Sequence, residues 1–414
     1  MTTIPRLIAY SNEFFLGNDL SLFAPDNNIS GDFDRLTTPP SARFRGSNDV
    51  IKAKARNTNI IAGDAREAQA LDDNSLEIKG GNDRIKSLAD DGSNFIQGDL
   101  NRAEASGGGR VTIKGGNDKI IAVSNSTFFP NGEPVLQPPF PTPSAANVVT
   151  GDLGFAQVSG AGSSVNTWGG NDHIKAVAKN GGNVIAGDVG AAVAFSGARV
   201  NIRSGRDVIN SFSVGESELA GDVGTAIALN SIITIESDND RIISQGSGND
   251  QISGDILQAF GNVTVTAYGN DYIVAGGGND QVFGDYDPAM VNDAAATSGG
   301  NDVLVGVDLR ASMPGTLEVD VLWGNGGEDT FVLGDRHNFF YLGHGISDLA
   351  FIKDFGDQED QDWIQLKWGG GSNGFKSYSF DQDGNDTKIS FQGDLIAVVE
   401  GATMSEVENR IVWA

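Results

Sequence analysis

The chain contains no cysteine, which removes disulfides, thiol catalysis and Cys-ligated metal sites. Histidine is nearly absent: His173, His337 and His344 stand far apart and leave little for a His-based zinc site. Positive charge is scarce, with 28 Lys+Arg against 55 Asp+Glu and a net charge of −27. That balance disfavours nucleic acid and anionic membrane as partners, since both are held through basic patches, and makes hard cations the natural counter-charge. No apolar run is long enough to cross a bilayer, so no membrane span is expected. The opening Met1-Thr-Thr-Ile-Pro5 lacks the basic-then-apolar layout of an N-terminal signal peptide. Neither His-Glu-x-x-His nor a P-loop occurs, and no catalytic residue is assigned.

What is abundant is glycine, 56 residues in 414 and about twice ordinary usage. With 39% of residues hydrophobic, the chain is not a disordered acidic tail. Two short motifs recur and alternate strictly. One is Asn-Asp, usually after Gly and followed by x-Ile/Val, at Asp49, Asp83, Asp118, Asp172, Asp240, Asp271 and Asp302, with Asp207 in the variant Gly-Arg-Asp. The other is Gly-Asp, at Asp32, Asp64, Asp99, Asp152, Asp188, Asp222, Asp255 and Asp285. Successive aspartates are 14–20 residues apart, except for one gap of 34 that holds an insertion at residues 128–145.

Short period-2 stretches lie between these turns, such as Ile85-x-Ser87, Asn94-Phe-Ile-Gln97, Ala103-x-Ala105 and Val111-Thr-Ile113. They amount to four strands and four turns per ~34 residues, read as two coils of ~17 with two strands each. The expectation is an all-β parallel β-solenoid of about 16 coils, thin-cored because its strands are rich in alanine. Both aspartate motifs would then share one edge, the variable loops the other, and sixteen carboxylates would stack ~4.8 Å apart. Neighbours in such a column repel by of order 1 kcal/mol even at the dielectric of water. Taken singly, Gly-Asp and Asn-Asp are ordinary turn formers that cap their own backbone. Sixteen in register read instead as cation ligands, and carboxylates beside Gly-rich carbonyls make an all-oxygen site that suits Ca²⁺ better than Mg²⁺.

Asp271 and Asp280 stand nine residues apart in Gly269-Asn-Asp-Tyr-Ile-Val-Ala-Gly-Gly-Gly-Asn-Asp280. Ser247-Gly-Asn-Asp250-Gln-Ile, Gly80-Gly-Asn-Asp83-Arg-Ile, Gly115-Gly-Asn-Asp118-Lys-Ile and Gly299-Gly-Asn-Asp302-Val-Leu follow the same pattern. These segments resemble the Gly-Gly-x-Gly-x-Asp-x-U-x nonapeptide of RTX (haemolysin-type) calcium-binding β-rolls. The match is specific at 240–302, degenerate over 28–239 and absent from the insertion. The resemblance implies a right-handed parallel β-roll with multiple Ca²⁺ between turns, type I secretion, and folding outside the cell on meeting calcium. RTX rolls carry Asp turns on both edges, whereas here the second edge does so only at Asp250 and Asp280. Earlier, Asn28, Asn59, Asn94, Asn147 and Asn183, then Glu218, align there, and stacked asparagines can hydrogen-bond as a ladder.

Residues 1–27 are expected to cap the first coil, 28–314 to form the roll, and 315–414 to form a β-rich C-terminal cap in which Ser405 to Ala414 is a candidate secretion signal. The insertion holds six of the twelve prolines and should be extended; with the solenoid ends it is a candidate self-association surface. The functional expectation is a secreted, extracellular, calcium-binding structural protein that self-assembles as a surface-layer, sheath or filament subunit. The alternatives are an adhesin that binds a polysaccharide, or an enzyme of the polysaccharide lyase or epimerase kind built from scattered surface residues.

Overall fold

The computed structural model describes residues 14–15, 20–24, 26–37, 41–125, 145–290, 299–356, 361–370 and 374–414. The chain is all-β. Its strands gather into three long sheets, called A, B and C below, and among the described residues one short α-helix, Met404–Asn409, lies near the end. No helix among the described residues is long and apolar enough to cross a membrane.

The path of one repeat shows how the aspartates are placed. After Asn82-Asp83, the strand Arg84–Ala89 joins sheet B and Asn94–Gln97 then joins sheet A. Gly98-Asp99 leads to Leu100–Ser106 and Arg110–Lys114, both in sheet C, and Gly115-Gly-Asn-Asp118 returns the chain to sheet B at Lys119–Ser124. Parallel pairing sets Arg84 opposite Lys119, Asn59 opposite Asn94, Ala65 opposite Leu100 and Ser75 opposite Arg110. Each of these pairs is 35 residues apart.

The stacking unit is therefore one four-stranded rung of about 35 residues, not two 17-residue coils of two strands, and the expected count of about sixteen coils is halved. The reason is side-chain size. In sheet B the inward positions are Ile85, Ser87 and Ala89, while in sheet C they are Leu100, Ala103 and Ala105. Stacking at 17 residues would set alanine strands on isoleucine strands; stacking at 35 sets like on like, so each row keeps one width.

Two cores follow. Ile51, Ile85, Ile120, Ile61, Ile96 and Val149 pack between sheets A and B. Ala68, Ala103, Ala156, Val111 and Val165 pack inside sheet C, whose two runs of strands join at Val223–Glu236 to make a curled half-barrel. Sheet C ends with Ile256–Ala267. Sheets A and B continue through Val319–Trp323 and Thr330–Val332 across the expected 314/315 boundary, so these strands extend the same two layers. An antiparallel hairpin, Tyr378–Asp383 with Asp386–Phe391, finishes sheet A.

At the start, the backbone strands Phe14–Phe15 and Leu20–Ala24 pair in sheets A and B. The rest of the expected cap before Asp26, and nearly all of the proline-rich insertion 128–145, lie outside the described residues.

Candidate metal centre

Both aspartate motifs occur where the chain crosses between the A/B lobe and the C lobe: Gly-Asp on the way out, Asn-Asp on the way back. The carboxylates therefore form two facing columns at an internal waist, not one column on a surface edge. Asp49, Asp83, Asp118, Asp172, Asp207, Asp240, Asp271 and Asp302 line one side; Asp64, Asp99, Asp152, Asp188, Asp222, Asp255 and Asp285 line the other, and all of them are buried. Asp32 heads the second column and is partly exposed.

Glycine makes room for the columns. A β-carbon on Gly63 would sit 1.7 Å from the Gly98 carbonyl oxygen and 2.0 Å from Asp83 Oδ2. One on Gly80 would sit 2.1 Å from Asp99 Oδ1. Neither position tolerates a side chain, so the glycines here are demanded by close approach, not by a left-handed backbone.

Most of these carboxylates have one oxygen tied to the backbone. In the Asn-Asp column the amide of each aspartate donates to the next rung: Asp83 N–H to Asp118 Oδ1 at 2.6 Å, Asp118 to Asp172 at 2.6 Å and Asp172 to Asp207 at 2.7 Å. In the Gly-Asp column, Gly81, Gly116 and Gly170 N–H donate to Asp64, Asp99 and Asp152, each at 2.7 Å. The asparagine of the motif is held the same way, with Asn117 N–H donating to Asn82 Oδ1 at 2.7 Å.

Most second oxygens have no donor. Asp64 Oδ1, Asp83 Oδ2, Asp99 Oδ1, Asp118 Oδ2, Asp152 Oδ1, Asp172 Oδ2, Asp188 Oδ1 and Asp207 Oδ2 are buried without a hydrogen-bond partner. The carboxylates converge in five triads that share members along the waist: Asp32/Asp49/Asp64, Asp64/Asp83/Asp99, Asp99/Asp118/Asp152, Asp152/Asp172/Asp188 and Asp188/Asp207/Asp222. Within each triad the three ligand oxygens all lie within 4.8 Å of one another. Burial, reinforced by the charges of Asp64 and Asp118, pushes Asp83 up to about 10. Burial raises Asp64 to about 7, partly offset by its contact with Asp99 and the Gly81 amide. Asp99, Asp118, Asp152, Asp172 and Asp188 are held well above the ordinary carboxylate range by burial first and by their neighbours second. Oxygen lone pairs facing one another in a dry interior need a proton or a cation between them. Several of these buried groups can hold metal ions.

Asp240, Asp255, Asp271, Asp285 and Asp302 carry the columns on beyond the five triads, with Asp240 N–H donating to Asp271 and Asp271 N–H to Asp302. Two members were not recognised from sequence. Asp302 N–H donates to Asp329 and Asp329 N–H to Asp362. Asp329 stands in Gly326-Gly-Glu-Asp, the same motif with Glu for Asn, so a looser pattern would have found it; Asp362 follows Gln361 and carries no such signal.

Asp250 and Asp280 are not brought to the waist. They stack on the far edge of the A/B lobe, where Ser217 N–H donates to Asp250, Asp250 N–H to Asp280 and Asp280 N–H to Asp320, a third member that the motif did not flag. The same edge earlier carries the asparagine ladder. Asn27, Asn59, Asn94, Asn147 and Asn183 are linked amide to amide at 2.7–2.9 Å. Pairing corrects two of its expected members: Asn27, not Asn28, lies opposite Asn59, and Glu218 lies opposite Val184, which leaves Ser217 beside Asn183.

Set against known proteins, the chain matches no protein-family model and no curated protein.

Proposed function

We propose that the buried carboxylate columns are calcium sites, and that this chain is a secreted structural protein, a right-handed β-roll that completes its fold on meeting Ca²⁺ outside the cell. The observation that carries this reading is the set of five carboxylate triads whose ligand oxygens lie within 4.8 Å of one another, in a waist where most aspartates keep one buried oxygen without a donor. Oxygens that share one Ca²⁺ at roughly 2.3–2.6 Å can lie no more than about 5.2 Å apart, and the triads satisfy that limit. The donor set is oxygen alone, carboxylates with glycine carbonyls beside them, which suits a hard cation of flexible geometry. Long sheets that take up most of the described residues favour a structural role, as a filament, sheath or surface-layer subunit that associates through its ends and the 128–145 segment.

Calorimetry with and without EGTA tests the calcium reading. Removal of calcium is expected to lower the melting temperature by more than 10 °C, since many sites bound to the native state add their linkage terms, each about 2.7 kcal/mol at a hundredfold excess over Kd. An unchanged transition overturns it. Electron microscopy in calcium tests assembly, and particles that stay single at high concentration refute that part alone.

A further inference from the structure

The outer face of sheet B carries charge of one sign. From Val50–Ala55 through Arg84–Ala89, Lys119–Ser124, His173–Ala178 and Val208–Ser213 to Arg241–Ile243, no strand holds an Asp or Glu. Strand pairing aligns the outward positions into rows. The first row carries Arg84, Lys119 and His173 on three consecutive rungs, then Val208 and Arg241. The second carries Lys52 and Lys86 on neighbouring rungs, then Ile121 and Lys175. Arg84, Lys86, Lys119, Lys52 and Lys175 are all exposed. Among the described residues none of these five belongs to an ion pair. Along the same flank runs the exposed asparagine row Asn48, Asn82, Asn117 and Asn171, whose carbonyl oxygens are used by the next rung's backbone. That leaves their amide N–H groups as donors toward solvent.

Like charges opposite one another in neighbouring strands destabilise a sheet, so this stripe works against the fold that carries it. It is also set on a chain with a net charge of −27. We propose that the outer face of sheet B is a binding surface for a linear acidic polysaccharide, a polyuronate lying along the stacking direction. Rungs recur every ~4.8 Å, roughly the length of one pyranose unit, so successive uronates meet a lysine or arginine on each of the four consecutive rungs from Lys52 to Lys175. The asparagine row supplies donors for hydroxyls at the same spacing. A duplex nucleic acid would meet this flat face with few phosphates, and a single strand would need a stacking platform, for which the six strands offer Phe212 as their one large aromatic ring. A bilayer would need apolar groups that protrude, whereas Leu88, Val123 and Val177 in the third row are half-buried. The assignment is independent of the calcium reading, since it concerns a different face.

The test is isothermal titration of the full chain, in calcium, with an oligouronate short enough not to gel. A neutral oligosaccharide of equal length, duplex DNA and anionic phosphatidylserine vesicles serve as comparators. Binding of the oligouronate alone is expected, weakening as salt rises. The triple variant Lys86→Gln/Lys119→Gln/Lys175→Gln should weaken it by about tenfold or more, in line with losing three charge contacts. Arg110→Gln/Arg199→Gln, on the outer face of sheet C, should leave it unchanged. Equal binding of DNA or vesicles, full affinity in the triple variant, or equal loss in the sheet C variant would each overturn the proposal. Calorimetric melting of every variant keeps misfolding from being mistaken for lost contacts.

Discussion

Asp99 belongs to two triads and Asp118 to one, although both are buried in the same waist. If each triad holds an ion, the Gly-Asp carboxylates bridge successive ions and the Asn-Asp carboxylates each serve one. Substitution by asparagine keeps the oxygen that accepts the Gly116 or Asp83 amide and removes the charge from the other. Asp99→Asn is therefore expected to lower the number of calcium ions per chain by about twice as much as Asp118→Asn, since two ligand sets lose a carboxylate instead of one. Metal analysis of the protein after gel filtration reads this directly, and equal losses from the two variants refute the shared-ligand arrangement. Both variants should also ease the repulsion felt by the chelated chain, because a buried carboxylate without a donor is the group removed.

Among the elements, the far-edge ladder contrasts with the waist: from Asn59 to Asn183 it is satisfied without any ion. Asn94 donates to Asn147 at 2.8 Å and to the Val123 carbonyl at 2.9 Å, and accepts from Asn59 at 2.9 Å and Ser87 at 2.6 Å. Asn94→Leu strands the Asn147 carbonyl oxygen and takes a partner from Asn59 and Ser87 in a buried row, at a cost of about 3 kcal/mol. That loss should be the same in calcium and in EGTA when followed by urea denaturation; a loss confined to calcium would mean that the ladder also serves the metal. The strands, their inward and outward faces and the turn aspartates were legible in the sequence because each is a local pattern: period-2 alternation, or a dipeptide in a turn. The pairing was not. Residues 17 apart and 35 apart both place an aspartate turn beside an aspartate turn, and only the recurrence of Asn59, Asn94 and Ile85, Ile120 at 35 separates the two. The halved spacing put all sixteen carboxylates on one edge, where solvent would reach them. The true spacing sets Gly-Asp opposite Asn-Asp and closes them in. Asp320 escaped notice because it sits in Val319-Asp-Val321 with no glycine before it, its register supplied by sheet pairing alone.

For the molecule as a whole, the charge of −27 is not the charge of its surface. Among the described residues 22 aspartates are buried; setting them aside leaves −5. The acidity that argued against anionic partners is thus largely interior, and an exposed cationic face on sheet B ceases to be an anomaly. The same partition fixes how stability responds to pH. Carboxylates whose folded pKa is raised, Asp64 to about 7 and Asp83 to about 10, favour the protonated folded state over an unfolded chain in which they titrate near 3.9. Without calcium their contribution is fully present below pH ~4 and is lost as pH rises through the folded values, each costing about 1.4 kcal/mol per pH unit across that window. The chelated chain should therefore melt highest in mild acid and lose its fold toward alkaline pH. On the calcium reading the slope reverses, because the ion would compete with protons for the same oxygens and bind more strongly as they leave. The expected result is a calcium-induced rise in melting temperature that is small at pH 5 and large at pH 8, measured by calorimetry in paired EGTA and calcium samples. A rise of the same size at both pH values would mean that the ions sit elsewhere and that the waist is held together by protons alone.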